Sequence, residues 1–170
     1  SARAELARSD GSRDAIRHDA GATATSLVLI FAGKLVEKKR PLDLVAAAHV
    51  ARRAGLDVRL IVVGSGPLEP VLRERAREAR VPALVAGFRN QSEIGAYFAA
   101  ADALVLPSDG GETWGLVVNE AMACGLPALV SRQSGCSADL VSHGETGYVF
   151  DSGDVDGLAG AMVAIRRDLE

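Results

Sequence analysis

The fold of this chain is decided by residues 27–34, which read Leu-Val-Leu-Ile-Phe-Ala-Gly-Lys. Residues 41–54 then carry apolar side chains at helical spacing and stop before a glycine, which predicts a helix. Residues 58–63 are a second run, apolar except at Arg59, and it ends at Gly64. Short apolar runs without polar alternation are typical of strands that are buried on both faces of a parallel sheet. Residues 27–64 therefore predict a βαβ unit with a right-handed crossover.

The same alternation continues to the end of the chain. The pattern predicts further strands at 83–86, 103–106, 128–130 and 148–150, and helices at 68–80, 92–100, 115–123, 136–141 and 154–167. Ser92 and Asp154 are the predicted N-caps of two of these helices. The predicted fold class is α/β, a Rossmann-like doubly wound parallel sheet of about six strands with helices on both faces. Ligands of such sheets bind beyond the carboxyl ends of the strands.

Composition agrees with a globular domain and excludes several classes. The 170 residues include 19 basic and 22 acidic side chains, for a net charge of −3, and 48% are apolar. These values exclude a disordered, collagen-like or disulfide-scaffold protein. No apolar run approaches the roughly 20 residues that a membrane span needs. The charge balance argues against a nucleic-acid binder, which is usually basic.

The first 26 residues differ from the rest. They are polar and rich in arginine, show no strand pattern, and offer only Leu6 and Ile16 to anchor a short helix or turn. We predict a linker or domain edge over residues 1–26 and one domain over residues 27–170. The chain begins with Ser-Ala-Arg and not with methionine, so we expect it to be an excised piece of a longer protein.

Two cysteines give a weak indication of the compartment. Cys124 and Cys136 have no further Cys or His at metal-ligand spacing, so no metal site is predicted around them. Two thiols without a disulfide framework suit a reducing cytoplasm.

The densest chemical signal is residues 112–127, Glu-Thr-Trp-Gly-Leu-Val-Val-Asn-Glu-Ala-Met-Ala-Cys-Gly-Leu-Pro. Glu112 precedes the predicted helix, and Glu120 lies eight residues later within it. Helical side chains lean toward the helix N-terminus, so Glu120 is expected to point toward Gly115. The unpaired N–H groups there suit a diphosphate, and a nearby carboxylate can accept hydrogen bonds from a vicinal diol. Taken alone, each glutamate is more simply a solvated charge.

The whole string resembles the E-x7-E signature of retaining glycosyltransferases with the two-domain GT-B fold, the glycosyl transferases group 1 or family 4. The resemblance extends over about residues 27–165, in the segments 31–35, 38–41, 62–67, 85–88, 100–108 and 144–149. It implies that the chain is the C-terminal, nucleotide-sugar-binding half of a GT-B enzyme. The N-terminal half, which in this family binds the acceptor, would be absent, and the isolated chain would be inactive.

The resemblance also implies roles for the two carboxylates and the helix start. Glu120 would bind the ribose hydroxyls of a nucleotide sugar, and Glu112 would hold hydroxyls of the donor hexose. The backbone N–H groups of Gly115, Leu116 and Val117 would face the diphosphate or the sugar. The carboxylates would then position the substrate and would not act as an acid–base pair.

A basic loop completes the implied donor site. Lys34, next to Gly33, and Lys39 would neutralise the diphosphate as it leaves, which is preorganised electrostatic stabilisation. Lys38 competes with Lys39 for the second role, and Lys39 is favoured by its spacing before the helix. The family usually has Arg where Lys34 stands, so the bidentate fork is lost while the charge is kept. The base would be lined by Gly87, Phe88 and Arg89.

The predicted activity is transfer of a hexose from a nucleoside diphosphate sugar to an acceptor with retention of configuration, without a metal or other cofactor. The acceptor, a sugar or a lipid, and any membrane contact would belong to the missing half, and no nucleic acid is involved. We expect a cytoplasmic protein, or one peripheral to the inner face of the membrane, in polysaccharide or glycolipid synthesis. The alternatives are a sugar-nucleotide epimerase, a phosphorylase-like GT-B enzyme, or a non-catalytic nucleotide-binding module. A glycosidase carboxylate pair would leave the basic loop without a purpose.

Weaker signals have simpler interpretations. Residues 154–156 spell the D-x-D of metal-dependent glycosyltransferases, but Asp154 is better placed to cap a helix. Residues 64–66 begin like a dinucleotide fingerprint that lacks its third glycine. Trp114 is expected to pack on the helix start. Ser108 lies near the rim and either bonds a hydroxyl or caps a turn, and Ser134 with Gly135 is placed near the donor sugar by the resemblance only.

Overall fold

A computed structural model of the chain describes residues 11–170, in which strands and helices alternate. The elements are α1 (Ser12–Asp19), β1 (Leu27–Ala32), a 3₁₀ turn (Glu37–Lys39), α2 (Pro41–Arg53), β2 (Val58–Val63), α3 (Glu69–Glu78), β3 (Ala83–Gly87), α4 (Ile94–Ala100), β4 (Ala103–Leu106), α5 (Leu116–Ala123), β5 (Ala128–Ser131), α6 (Ser137–Leu140), β6 (Gly147–Phe150) and α7 (Val155–Asp168). None of the described helices combines the length and the apolar character that crossing a membrane requires.

The sheet is parallel throughout and has the order β3-β2-β1-β4-β5-β6. In the β1–β2 pair, Leu27 lies beside Val58 and Ala32 beside Val63. The predicted fold class is confirmed. Strand order reverses between β1 and β4, and this reversal is the point at which doubly wound sheets open a crevice for a ligand.

Strand β1 is buried at all six positions, as its unbroken apolar run predicts. Leu29 and Phe31 face one core, which is completed by α2, α3 and α7. Val28 and Ile30 face the other core, to which α1, α4, α5 and α6 contribute. Because both faces of the strand are covered, neither layer of helices can be removed without exposing β1.

Helix α1 lies within the segment predicted as a linker or domain edge. Arg17 donates to the carbonyl of Ala100 at 2.8 Å, and Arg13 donates to that of Ala99 at 3.2 Å, at the C-terminal end of α4. These bonds satisfy carbonyls that a helix end leaves without partners. Leu6 lies outside the described residues. The predicted domain boundary after residue 26 stays a prediction.

One predicted helix cap is wrong and another is confirmed. Asn90, not Ser92, caps the turn that leads into α4: its Oδ1 accepts from the backbone N–H groups of Ser92 at 3.0 Å and Glu93 at 3.1 Å. Glu93 returns the bond to the N–H of Asn90 at 2.9 Å, which makes a capping box. Asp154 caps α7 as predicted, since its Oδ1 accepts from the N–H of Gly157 at 2.9 Å.

Gly64 allows a close approach between the chain after β2 and the chain after β1, at the carboxyl edge of the sheet. Its φ is +135°, and a Cβ at this position would lie 1.8 Å from the carbonyl oxygen of Gly33. Gly55, at the end of α2, also has a positive φ, of +98°, but no atom lies within 4 Å of its hypothetical Cβ. A side chain at Gly64 would therefore add both backbone strain and steric overlap, whereas a side chain at Gly55 would add backbone strain alone.

We expect Gly64→Ala to lower the free energy of unfolding by about 3 kcal/mol or more, because φ strain and overpacking add. Gly55→Ala, the matched control, should cost only about 1 kcal/mol, since it carries the φ strain alone. Urea unfolding followed by circular dichroism measures both. Equal losses in the two variants would contradict the close approach at Gly64.

Asp57 lies at the amino ends of β1 and β2, at the edge of the sheet opposite Gly64, and joins the residues around it through hydrogen bonds. Its carboxylate accepts hydrogen bonds from Ser26 at 2.6 Å, Arg59 at 2.9 Å and Arg52 at 3.1 Å. Burial alone would raise the pKa of Asp57, but these hydrogen bonds outweigh burial and lower it. The folded state therefore binds a proton at Asp57 less readily than the unfolded chain.

The depressed pKa of Asp57 predicts an acid-sensitive contribution to stability. The contribution is complete above the carboxyl's unfolded pKa and is lost as the pH falls through the lower folded pKa. We expect Asp57→Asn to reduce stability at pH 7 and to flatten the loss of stability below about pH 4. Unfolding measured from pH 7 to pH 2 checks this, and parallel curves for the two proteins would contradict it.

Candidate functional site

A cleft of about 1110 Å³ opens beyond the carboxyl ends of β1 and β2 and the N-terminus of α5. It contains all but one of the residues predicted for the donor site: Gly33, Lys34, Lys39, Phe88, Arg89, Glu112, Gly115, Leu116, Val117 and Glu120. The exception is Gly87, whose carbonyl accepts the N–H of Gly64 at 2.8 Å and so joins β3 to the end of β2. Predicted residues from three separate stretches of sequence thus meet in one cleft.

The start of α5 is held against the sheet by a glycine. Gly115 has φ +91°, and a Cβ there would lie 2.7 Å from Cδ2 of Leu106, the last residue of β4. The backbone therefore packs directly on the strand end, and the first turn of α5, with Leu116 and Val117, lines the cleft. The N–H groups of Leu116 and Val117 have no intrahelical acceptor, and they lie at the positive end of the helix dipole.

The loop that carries Glu112 is fixed by the loop after β5. The N–H of Gly135 donates to the carbonyl of Glu112 at 3.3 Å, and that of Cys136 donates to the carbonyl of Trp114 at 3.0 Å. A Cβ on Gly135 would lie 1.8 Å from the carbonyl of Thr113. Gly135 thus supports the Glu112 loop through its backbone.

The Glu112 carboxylate is paired with Lys39. Lys39 Nζ contacts Glu112 Oε2, and the two side chains are only 19% and 12% exposed. The hydroxyl of Ser108 donates to the same oxygen at 3.1 Å. Lys39 contacts the carboxylate, whereas the Lys38 side chain has no hydrogen bond or ion pair with residues 11–170. Which of the two lysines faces a diphosphate stays a prediction.

The Glu120 end of the cleft holds a contact that the sequence did not indicate. Gln91 Nε2 donates to Glu120 Oε1 at 3.2 Å. Arg89 stacks over the ring of Tyr97 at 5.4 Å, and Phe88 is 74% exposed. No spacing rule links Gln91 to Glu120, because the turn after β3 and the face of α5 meet only in the folded chain.

Other candidate residues have structural positions. The indole N–H of Trp114 donates to Asn119 at 2.9 Å, which places the ring on the helix start as predicted, although it also lines the cleft. Cys124 and Cys136 are free thiols, and burial raises the pKa of Cys136. Within residues 11–170 there is no group of three or more His, Cys, Asp or Glu side chains that could hold a metal ion.

The sequence of the chain matches a known protein family. Residues 12–168 match the family described as glycosyl transferases group 1. The chain belongs to this family. The resemblance seen in the sequence is thereby confirmed, and the match also covers helix α1.

Curated relatives of this group 1 chain are named glycosyltransferases and related enzymes. The D-inositol 3-phosphate glycosyltransferase of Pseudarthrobacter chlorophenolicus is 36% identical over 92% of this chain. The N-acetyl-alpha-D-glucosaminyl L-malate synthase of Bacillus anthracis is 29% identical over 91% of it. The chain spans only 38% and 40% of the lengths of these two proteins.

Solved structures share the fold. Anabaena HepE, determined in complex with UDP and glucose, superposes with a TM-score of 0.76 at 25% identity, over 95% of this chain and 43% of its own. Sucrose-phosphate synthase from Thermosynechococcus elongatus gives a TM-score of 0.73 at 27% identity, over 93% of this chain and 39% of its own.

We expect Lys39→Met to lower the free energy of unfolding by about 1–2 kcal/mol, because it leaves the largely buried Glu112 carboxylate without its counter-charge. Lys38→Met is the matched control and should change stability by less than about 0.5 kcal/mol. Urea unfolding of both variants at pH 7 measures the difference. Indistinguishable variants would show that the Lys39–Glu112 pair contributes nothing to the folded state.

Proposed function

We propose that this chain is the donor-binding half of a glycosyltransferase that transfers a hexose from a nucleoside diphosphate sugar. The observation that carries the proposal is the placement of Glu112 and Glu120 in one cleft, on either side of the N-terminus of α5. Lys34 and Lys39 line the same cleft. Two hydroxyl-binding carboxylates separated by an anion-binding region match the order of ribose, diphosphate and hexose in the donor.

The diphosphate is assigned to the start of α5 and the basic loop. The first-turn N–H groups of Leu116 and Val117 offer hydrogen bonds to phosphate oxygens without having to break others. Lys34 is exposed on the cleft, and no carboxylate of residues 11–170 pairs with it. Cleavage of the sugar–phosphate bond builds negative charge on the leaving nucleoside diphosphate, and these fixed positive groups stabilise it.

The two carboxylates are assigned to opposite ends of the donor. Glu120 accepts a hydrogen bond from Gln91, in the segment that follows β3, so we assign it to the ribose. Glu112 lies beside Lys39 at the other side, so we assign it to the hexose. The complex of Anabaena HepE with UDP and glucose supports a nucleotide and a sugar as ligands of this fold.

The remaining features of the reaction rest on the family. We propose transfer with retention of configuration, without a metal, by a family 4 enzyme of polysaccharide or glycolipid synthesis in the cytoplasm or at the inner face of the membrane. Because the chain spans 38% and 40% of two relatives, we assign the acceptor site to a further domain of a longer protein. The chain alone is then expected to bind the donor but not to transfer the sugar.

Nucleotide binding tests this proposal directly. We expect at least one of UDP, GDP, ADP and TDP to raise the melting temperature of the chain, since a ligand at about 100 times its Kd adds about 2.7 kcal/mol. Glu120→Ala should abolish the shift, because it removes the proposed ribose acceptor. Thermal unfolding with and without each nucleotide measures the effect.

Glu145→Ala provides the control, since Glu145 is an exposed carboxylate in the turn before β6 and does not line the cleft. It should keep the full shift. A nucleotide shift that survives Glu120→Ala would contradict the assigned site. No shift with any nucleotide, in the chain or in a longer protein that contains it, would favour a module that has lost donor binding.

A further inference from the structure

Three serine hydroxyls are buried behind the Glu112 carboxylate. Ser108, Ser131 and Ser134 are at most 2% exposed, and they lie at the carboxyl ends of β4 and β5. Ser131 Oγ donates to the carbonyl of Ser108 at 2.6 Å and lies 2.8 Å from Ser134 Oγ. Buried hydroxyls destabilise a fold unless they are hydrogen-bonded, so this cluster forms only because each member has a partner.

The direction of these bonds follows from the number of protons. A serine hydroxyl has one proton to donate, and Ser131 uses its proton on the carbonyl of Ser108. Ser131 must therefore accept in its contact with Ser134, and Ser134 donates. Ser131 thus holds the backbone carbonyl of Ser108. The side-chain hydroxyl of Ser108 donates to Glu112 Oε2 at 3.1 Å.

The two oxygens of Glu112 are left in different environments. Oε2 accepts from Ser108 and contacts Lys39 Nζ. Among residues 11–170, no group donates to Oε1. With Oε2 held by two donors, the carboxylate plane is fixed, and Oε1 keeps its lone pairs for another partner.

We propose that Ser108 is a positioning residue for donor recognition: it holds Oε2 of Glu112 so that Oε1 binds a hydroxyl of the sugar in the nucleoside diphosphate sugar. This inference rests on the proposed function. It goes beyond that function by assigning a role to a buried side chain that does not line the cleft, and by naming the oxygen that meets the sugar. A free carboxylate would have to be ordered on binding, and the Ser108 bond removes that cost in advance.

The test compares a nucleoside diphosphate with its sugar conjugate, which differ at the hexose that Glu112 is proposed to bind. Calorimetric titrations use UDP against UDP-glucose and GDP against GDP-mannose. In Ser108→Ala, we expect the affinity for the nucleotide to stay within about twofold and the affinity for its sugar conjugate to fall about tenfold, the size expected for a hydrogen bond to a charged group. In a Glu112→Gln background, Ser108→Ala should cause no further loss.

Ser137→Ala is the matched control. Ser137 is also buried, and its hydroxyl donates to the carbonyl of Arg132 at 2.9 Å without reaching Glu112. It should leave both affinities unchanged. If Ser108→Ala weakens both ligands equally, changes neither, or matches Ser137→Ala, the role of Ser108 is overturned while the proposed function stands.

Two further outcomes are distinguishable. If the unmodified protein, as this chain or as a longer protein that contains it, binds neither nucleotides nor their sugar conjugates, the proposed function fails and the inference fails with it. If Ser108→Ala does not fold, Ser108→Cys gives the same comparison, because a thiol of similar size is only a weak donor. Unchanged selectivity for the sugar conjugate in Ser108→Cys would overturn the inference.

Discussion

Burial of β1 on both faces is the constraint from which the arrangement of the cleft follows. Leu29 points into one core and Ile30 into the other, so helices must cover both sides of the sheet. The chain alternates strands with helices, and these crossovers join strands that all pair in parallel. All carboxyl ends then lie at one edge, where the chain leaves each strand as a loop. The residues that line the cleft meet at that edge because the loops that carry them leave the strands there.

The apolar pattern of the sequence is sufficient to predict the strands and helices of the fold. It is not sufficient to predict the contacts between loops. The run of residues 58–63, apolar except at Arg59, predicts the bounds of β2 because five of its six side chains are buried. The turn before α4 was assigned to Ser92, whereas Asn90 caps it, since either side chain can cap a turn and the loop path selects between them. Gln91 was missed for a related reason: its partner Glu120 is 29 residues away and is reached only through the packing of α5 on the sheet.

The site residues were predicted as a set, and their interactions with one another were not. The resemblance assigned Lys39 to the diphosphate and Glu112 to the sugar, as two independent contacts. In the structure they form one ion pair, and the hydroxyl of Ser108 donates to the same oxygen of Glu112. A sequence pattern shows which charges are near a loop. Which charge meets which depends on how the loops pack, and in the structure Lys39, not Lys38, contacts Glu112.

The pairing of Lys39 with Glu112 changes how the cleft would recognise a donor, and it does not conflict with binding. An ammonium group carries three N–H donors, so Lys39 can keep its bond to Oε2 and still offer protons to a phosphate oxygen. Because Glu112 offsets much of the charge of Lys39, the uncompensated positive potential on that side of the cleft comes from Lys34, Lys38 and the N-terminus of α5. Under the proposed function, a diphosphate would be drawn toward α5. Its sugar would then lie next to Glu112, whose Oε2 is held by the bonds to Ser108 and Lys39.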